Sequence, residues 1–403
     1  MFPNLLDDLH VIELSAFVAA PLGGMTLAQM GADVIRIDPL SGGLDNTRWP
    51  LAQNGRSLFW NGLNKAKKSV AINLRTDAGR ELARALIQAR KDTILLTNFP
   101  ARGLLDYDKL STDMPSLIQL TVTGDRHGKS AVDYTVNSTL GLPTITGPED
   151  SDDVCNHVLP AWDLITGHMA VIGILAAERH RQRTGRGQHV KLALEDAALA
   201  MMGHLGFIAE AQLGTERQRY GNYLFGAFGK DFCTADGHRI MVVGLTLKQW
   251  RSLCSATGLE DAMQALGVQL GLDLDDEGNR FKARKDIAGL LEPWCLKRPL
   301  ADIQQIFDTH GVCWGPYHSM VQRLQQTGPA SLYENPIFAD VHQPGVGNYL
   351  MPGLPLDFAA IPRQPASAAP VLGEHTEEVL AQVLGLSNAQ IGALVDQNTI
   401  ARP

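Results

Sequence analysis

Short β-rich runs alternate with helix-patterned segments through the first 125 residues, and no other feature constrains the fold as much. HVIELS (10–15), ADVIRID (32–38), KSVAINL (68–74), TILLTN (93–98) and LIQLTVTG (117–124) are runs of strand length rich in β-branched and apolar residues. Between them, PLGGMTLAQMG (21–31) opens on proline and closes on glycine, as helices tend to, and DAGRELARALIQAR (77–90) carries apolar residues at helical spacing. Strands alternating with helices predict an α/β fold whose parallel sheet is covered on both faces. At 403 residues the chain is too long for one simple core, so two or more domains are expected.

Further along, 164–182 reads as a helix ending in the basic stretch RHRQRTGRGQ (179–188). HVKLALEDAALAMMGHLGFIAEA starts strand-like and runs into a long apolar helix, and a loop rich in glycine and aromatics follows, RYGNYLFGAFGKDF (219–232). DFCTADGHRIMVVGL predicts a hairpin with Asp-Gly at its turn, and 247–311 is mainly helical. Frequent proline and glycine mark 328–371 as an extended linker, and HTEEVLAQVLGLSNAQIGALVDQ is a final helical pattern with a capping box expected from Thr376. These shifts divide the chain into a large domain over 1–190, a linker helix over 191–224, a small domain over 225–325, and an extended return over 326–403 that rejoins the large domain.

Composition narrows the function. Net charge is −8, from 35 basic and 43 acidic residues, with no basic block of the kind a nucleic-acid partner requires. Five scattered cysteines with no CxxC pair fit a reducing compartment without a zinc site or disulfide framework. The N-terminus carries acids where a signal peptide has its basic region, and the apolar run from 164 stops at Glu178, short of a membrane span. The expectation is a cytoplasmic, soluble enzyme acting on a small molecule.

Familiar catalytic patterns are missing. The first strand leads into AFVAAPLGG rather than GxGxxG, so no tight phosphate turn is specified, and Asp38 reads as an ordinary strand-end residue rather than a ribose ligand. His157, His168, His180, His189 and His204 have no partners at ligand spacing, so no metal is expected, and no GxSxG occurs. Asp163, the lone acid of HVLPAWDLITGHMAVIGIL, allows two readings. It suits the N-cap of the helix that follows. The same helix pole and the apolar Leu159, Trp162 and Leu164 around it would also keep it ionised and poorly hydrated, as a nucleophile requires.

The surrounding phrases resemble those of the class III CoA-transferases, the carnitine/bile-acid CoA-transferase superfamily that also contains the α-methylacyl-CoA racemases. They are AAPLGGMTLAQMGADVIRIDP, GLNKAKKSVAINLRT, TNFPARGLLDYDKL, the P(x)2D(x)3G pattern of PAWDLITG, RTGRGQHVKLALEDA, RYGN and LGEHTEEVLAQVLGLS. A narrower likeness rests on SAFVAAPLGGMTLAQ, RWP, SLFWNGLNK, TNFPARG, VDYTVN, NHVLPAWD and FGAFGKDF, and points to members that move CoA between two carboxyls of one dicarboxylic acid. The resemblance implies a Rossmann-like large domain made from both chain ends, a smaller inserted α+β domain, and a homodimer of interlocked protomers.

It also implies site residues. Asp163 falls on the family's nucleophile, which carries CoA as a covalent thioester, and no permanently bound cofactor is implied beyond the CoA of the acyl-CoA substrate. Asn98 and Phe99 match positions at the CoA thiol arm, Leu74 and Arg75 match the adenine side, and Val18 and Arg102 complete the CoA-binding set. Arg48 and Lys65 are phosphate partners by charge. Asp133 matches an acid beside the nucleophile, and 219–232 matches a glycine-rich lid in which Gly221, Gly226 and Gly229 would bend while Tyr223, Phe225 and Phe228 cover the substrate. Where the racemases carry a second acid/base histidine this chain has Val132, so two-base proton exchange is disfavoured.

Overall fold

A computed structural model describes residues 5–401. The chain divides into two compact units. The first comprises the chain up to Leu140, Val158–Ala209 and the chain from Gly328 on, and the second comprises Gly141–His157 and Glu210–Thr327. The excursion at 141–157 and the division at 209 had no signal in composition, which had suggested 190 and 225 as boundaries.

In the first unit, β1 (His10–Leu14), β2 (Asp33–Asp38), β3 (Lys68–Ala71), β4 (Ile94–Thr97), β5 (Ile118–Thr123) and β6 (Gln188–Ala193) form one sheet in the order β3-β2-β1-β4-β5-β6. Every neighbouring pair is parallel. Alternate residues feed two cores. Ile12, Leu14, Ile35, Ile37, Val70 and Leu95 face one side, with Leu82, Leu86 and Ile87 of the Asp77–Gln88 helix. Val11, Val34, Ile94, Leu96 and Leu120 face the other, with Leu27 of the Ala19–Gln29 helix and Ala170 and Ile174 of the Ala161–Thr184 helix.

The 161–184 helix corrects an expectation: at 24 residues it is long and apolar enough, by length and composition, to cross a membrane. In this fold it packs on the sheet and on the 19–29 helix. It ends at Gly185, which adopts the left-handed conformation (φ 72°) that glycine takes without strain. Arg181 in its last turn is not a solvated cation. It is buried and donates to the carbonyls of Asp92, Thr93 and Ser116 and to Glu178.

The C-terminal segment closes the β3 side of the sheet. Thr376 is no capping box: its hydroxyl accepts the Ala71 N–H at 3.1 Å, and the box lies instead at Ser387 and Gln390, opening the Asn388–Asp396 helix. Ile400 bridges Ile72, and Val379, Leu380 and Ile391 join the first core.

The second unit builds its own core around an antiparallel sheet of β7 (Phe228–Cys233), β8 (Arg239–Gly244) and β9 (Cys313–Pro316). β7 and β8 form the expected hairpin, with Gly237 left-handed (φ 81°) at its turn. Five helices between Leu247 and His310 cover this sheet. Back in the first unit, 328–371 is more than a linker, because within it β10 (Phe338–Gln343) and β11 (Gly347–Pro352) pair as an antiparallel ribbon.

Candidate active site

The strand order reverses direction between β1 and β4, and open parallel sheets bind ligands in the crevice outside their carboxyl ends at such a switch point. Asn98, just past β4, spans this point with its side-chain amide. Its Oδ1 accepts the Ala16 N–H at 3.0 Å and its Nδ2 donates to the Ala16 carbonyl at 2.7 Å. Phe17 follows with φ at 67°, a conformation side chains other than glycine's rarely adopt, and its N–H is held by Asp45 Oδ1 at 2.9 Å. Val18 is buried and begins the 19–29 helix.

Under this turn lies a charge cluster that the sequence reading missed. The Arg36 guanidinium, 4.7 Å over the Trp60 ring, pairs with Glu13, Asp38 and Asp45, each at 3.1 Å. The Lys67 ammonium donates at 2.9 Å to Glu13, to the Pro21 carbonyl and to Asn64, and desolvation pushes it down to about 8. Asp38 is therefore no ordinary strand-end residue, and burial raises its carboxyl above the usual range. Gly24 makes the arrangement possible, since a Cβ there would stand 1.8 Å from Glu13 Oε2.

Asp163 lies in the first turn of the 161–184 helix but does not cap it. The cap comes from a distant acid: Asp133 Oδ2 accepts the backbone N–H of Trp162 at 2.7 Å and of Asp163 at 3.2 Å. Asp163 is left half-buried, and among the described residues no donor bonds its carboxylate. Burial first, and the nearby Asp133 carboxylate second, push its carboxyl up to about 6 against an opposing pull from Arg48. The environment thus raises the affinity for a proton, whereas the helix pole alone would lower it, yet at neutral pH the group is still mostly ionised.

Gly167, the last residue of the P(x)2D(x)3G pattern, fixes where this carboxylate stands. A Cβ on it would meet the Ala19 carbonyl at 2.8 Å, so the 161–184 helix touches the first turn of the 19–29 helix there. A Cβ on Gly23 would in turn meet the Gly167 carbonyl at 3.2 Å and Ala170 Cβ at 3.4 Å. The two helices run the same way, and Asp163, one turn before Gly167, lies at the helix end on the side of the strands' carboxyl ends.

Most of the other expected positions share that side. Arg48 follows β2, Leu74 and Arg75 follow β3, and Phe99 and Arg102 follow β4. Arg75, Phe99 and Arg102 are exposed, whereas Leu74 packs on the first core. Lys65 departs from the set. It precedes β3 and is 3% exposed, and burial pushes its ammonium down to about 8, so it is not the open cation its charge suggested.

In the second unit the 219–232 loop is shorter than expected. Phe228 and Gly229 belong to β7, and Phe228 is fully buried in that unit's core, so it covers nothing. Gly221 and Gly226 are left-handed, at φ 57° and 80°. Between them Phe225 packs on Tyr220 and Phe281 with the Arg217 guanidinium 3.9 Å over its ring, while Tyr223 is partly buried against the core.

A family profile described as CoA-transferase family III matches residues 6–376. The chain belongs to this family. It is 57% identical, over 99% of its length and 98% of the relative's, to a protein of Chloroflexus aurantiacus named 2-methylfumaryl-CoA isomerase. Against a Haloarcula marismortui protein named succinyl-CoA:mesaconate CoA-transferase the identity is 29%, over 93% of this chain and 95% of that one. A solved CAIB/BAIF family protein from Brucella suis superposes with a TM-score of 0.76 over 93% of this chain and 98% of its own at 24% identity, a likeness of fold. Family III enzymes act on CoA thioesters.

Proposed function

We propose that the chain is a 2-methylfumaryl-CoA isomerase, moving CoA between the two carboxyl groups of one mesaconate skeleton with Asp163 as covalent relay. The 57% identity over nearly the whole chain supports the substrate. The observation that carries the relay is Asp163 itself: a half-buried carboxylate with no donor bonded to it, past the strand ends beside the switch point.

The Asp163 carboxylate attacks the thioester carbonyl, the C–S bond breaks, and CoA leaves as thiolate from a mixed anhydride. The thiolate attacks the aspartyl carbonyl, forming an Asp163–CoA thioester and freeing mesaconate. Mesaconate turns, and its other carboxylate attacks the aspartyl thioester to give a second anhydride and CoA thiolate. Thiolate attack on the substrate carbonyl then yields 3-methylfumaryl-CoA and restores Asp163. No net proton, electron pair or water is consumed, and covalent relay divides one hard exchange into acyl transfers of similar energy. Keeping mesaconate in place makes the return step effectively unimolecular.

CoA would lie along the carboxyl ends of β1 to β4, against Val18, Leu74, Arg75, Phe99 and Arg102, with Asn98 holding the turn rather than the ligand. A second copy of the chain is also part of the proposal. Met169, Ile172, Leu199, Leu205 and Ile208 form exposed apolar surface on the helices from 161 to 212, which supports an interlocked homodimer.

Incubation of the pure protein with 2-methylfumaryl-CoA alone tests the reading. The 3-methyl regioisomer should form without added acid, and a hydroxylamine quench should leave a hydroxamate on Asp163. Strict dependence on an added carboxylate would replace isomerisation by intermolecular transfer, as in the relatives at 29% identity.

A further inference from the structure

Arg48 stacks on Phe17, in the turn that leads into the 19–29 helix at Ala19, where that helix touches Gly167 one turn from Asp163. Its backbone is pinned on both sides: its N–H donates to the Asp45 carbonyl at 3.3 Å, and the Ser57 hydroxyl donates to its own carbonyl at 2.6 Å. Asp45 also holds the Phe17 N–H and pairs with buried Arg36, so the segment bearing Arg48 is tied to the rigid charge cluster. The guanidinium lies 5.4 Å over the Phe17 ring and 5.1 Å over the Phe59 ring, two aromatic faces that orient its plane. The side chain is exposed, and among the described residues no carboxylate pairs with it.

Arg48 also acts electrostatically on Asp163, opposing Asp133. That location argues against a phosphate partner. The pantetheine arm keeps the phosphates of CoA far from the thioester, so a cation felt by the nucleophile meets the acyl group. A planar guanidinium with free donors matches a carboxylate in a two-point bond.

We propose that Arg48 binds the carboxylate that is not reacting, so that the site accepts dicarboxylic acyl-CoA and retains the freed dianion while it turns. The inference rests on Asp163 being the nucleophile. With CoA on Asp163, mesaconate has two negative ends, and the Arg48 guanidinium can hold either. Arg48 releases one carboxylate as the other arrives, and the product leaves with its unreacted end on the same guanidinium. A monocarboxylic acid has nothing to keep it there.

The test compares wild type, Arg48→Gln and Arg48→Lys on 2-methylfumaryl-CoA and on 2-methylcrotonyl-CoA, in which a methyl replaces the free carboxylate. Single-turnover formation of the Asp163 hydroxamate is read by mass, and inhibition by free mesaconate is compared with that by 2-methylcrotonate. Arg48→Gln should lower kcat/KM for the dicarboxylic substrate about 100-fold. It should change acylation by the monocarboxylic one less than about threefold and abolish the preference for mesaconate as inhibitor, with Arg48→Lys intermediate. Equal losses on both substrates would mean that Arg48 only tunes Asp163, and an unchanged rate or preference would mean that it does neither; both overturn the proposal. A wild-type enzyme that forms no hydroxamate on Asp163 fails the nucleophile first, and that failure is visible before any variant is compared.

Discussion

Asp163 is held in its ionised form at a cost, and two measurements expose that cost. Under the proposed relay the base form of Asp163 attacks, so kcat/KM should climb with pH to a plateau along a limb centred near 6. Asp133→Asn keeps an oxygen for the Trp162 and Asp163 N–H groups but removes the repelling charge, so this limb should move to lower pH; an unmoved limb would reduce Asp133 to a cap. In stability the sign reverses. An acid whose folded value lies above its unfolded one binds its proton more tightly in the folded chain, so stability falls as pH rises from about 4 through 6 and is level above. Asp163→Asn should therefore be inactive yet more stable than wild type by about 1–3 kcal/mol at pH 8 in a urea titration, the gain vanishing below about pH 4. The sequence made this residue a candidate but misread its setting. The helix pole is visible in a local pattern, whereas Asp133 arrives from 30 residues away and Arg48 from the loop after β2.

Among the elements, glycine positions separate contact from propensity. A Cβ on Gly167 would press on backbone at Ala19, which cannot yield as a side-chain tip can, so Gly167→Ala should cost about 1–3 kcal/mol and lower kcat by displacing Asp163. Gly289, inside the Arg284–Leu296 helix with nothing within 4 Å of an added Cβ, should show the opposite sign, Gly289→Ala gaining about 0.5–1 kcal/mol. Thermal midpoints and kcat of the two variants check both. Element type was legible for the strands of the sheet because each buried strand is a short apolar run bounded by turn residues. Element ends were not. The 19–29 helix begins two residues before its proline, and Thr376 spends its hydroxyl on Ala71, a partner some 300 residues away that no local capping pattern reveals.

For the whole molecule, the buried charge cluster is what binds separate stretches of the first unit into one floor for the site. Glu13, Arg36, Asp45 and Lys67 come from four positions along the chain, and their pairing is worth little net stability until one member is lost. Arg36→Met should leave buried Asp38 and Asp45 without their cation, with Glu13 keeping Lys67, and destabilise the chain by about 3–5 kcal/mol, read as a drop in urea midpoint. This cluster escaped sequence reading for a physical reason: charged residues inside apolar strands look like solvent-facing positions until the covering helix is known. Domain class was legible from the alternation, while the 141–157 excursion was not, since its polar composition suits any loop.

The C-terminal closure of the sheet has a further consequence for synthesis on the ribosome. All residues of the second unit have been made once Thr327 is added, so that unit can settle while the rest is still emerging. The six-stranded sheet of the first unit is complete by Ala193, but its β3 side stays bare until Thr376, Leu380 and Ile400 arrive. The part of the chain that is translated first is therefore the part that must wait longest to be finished.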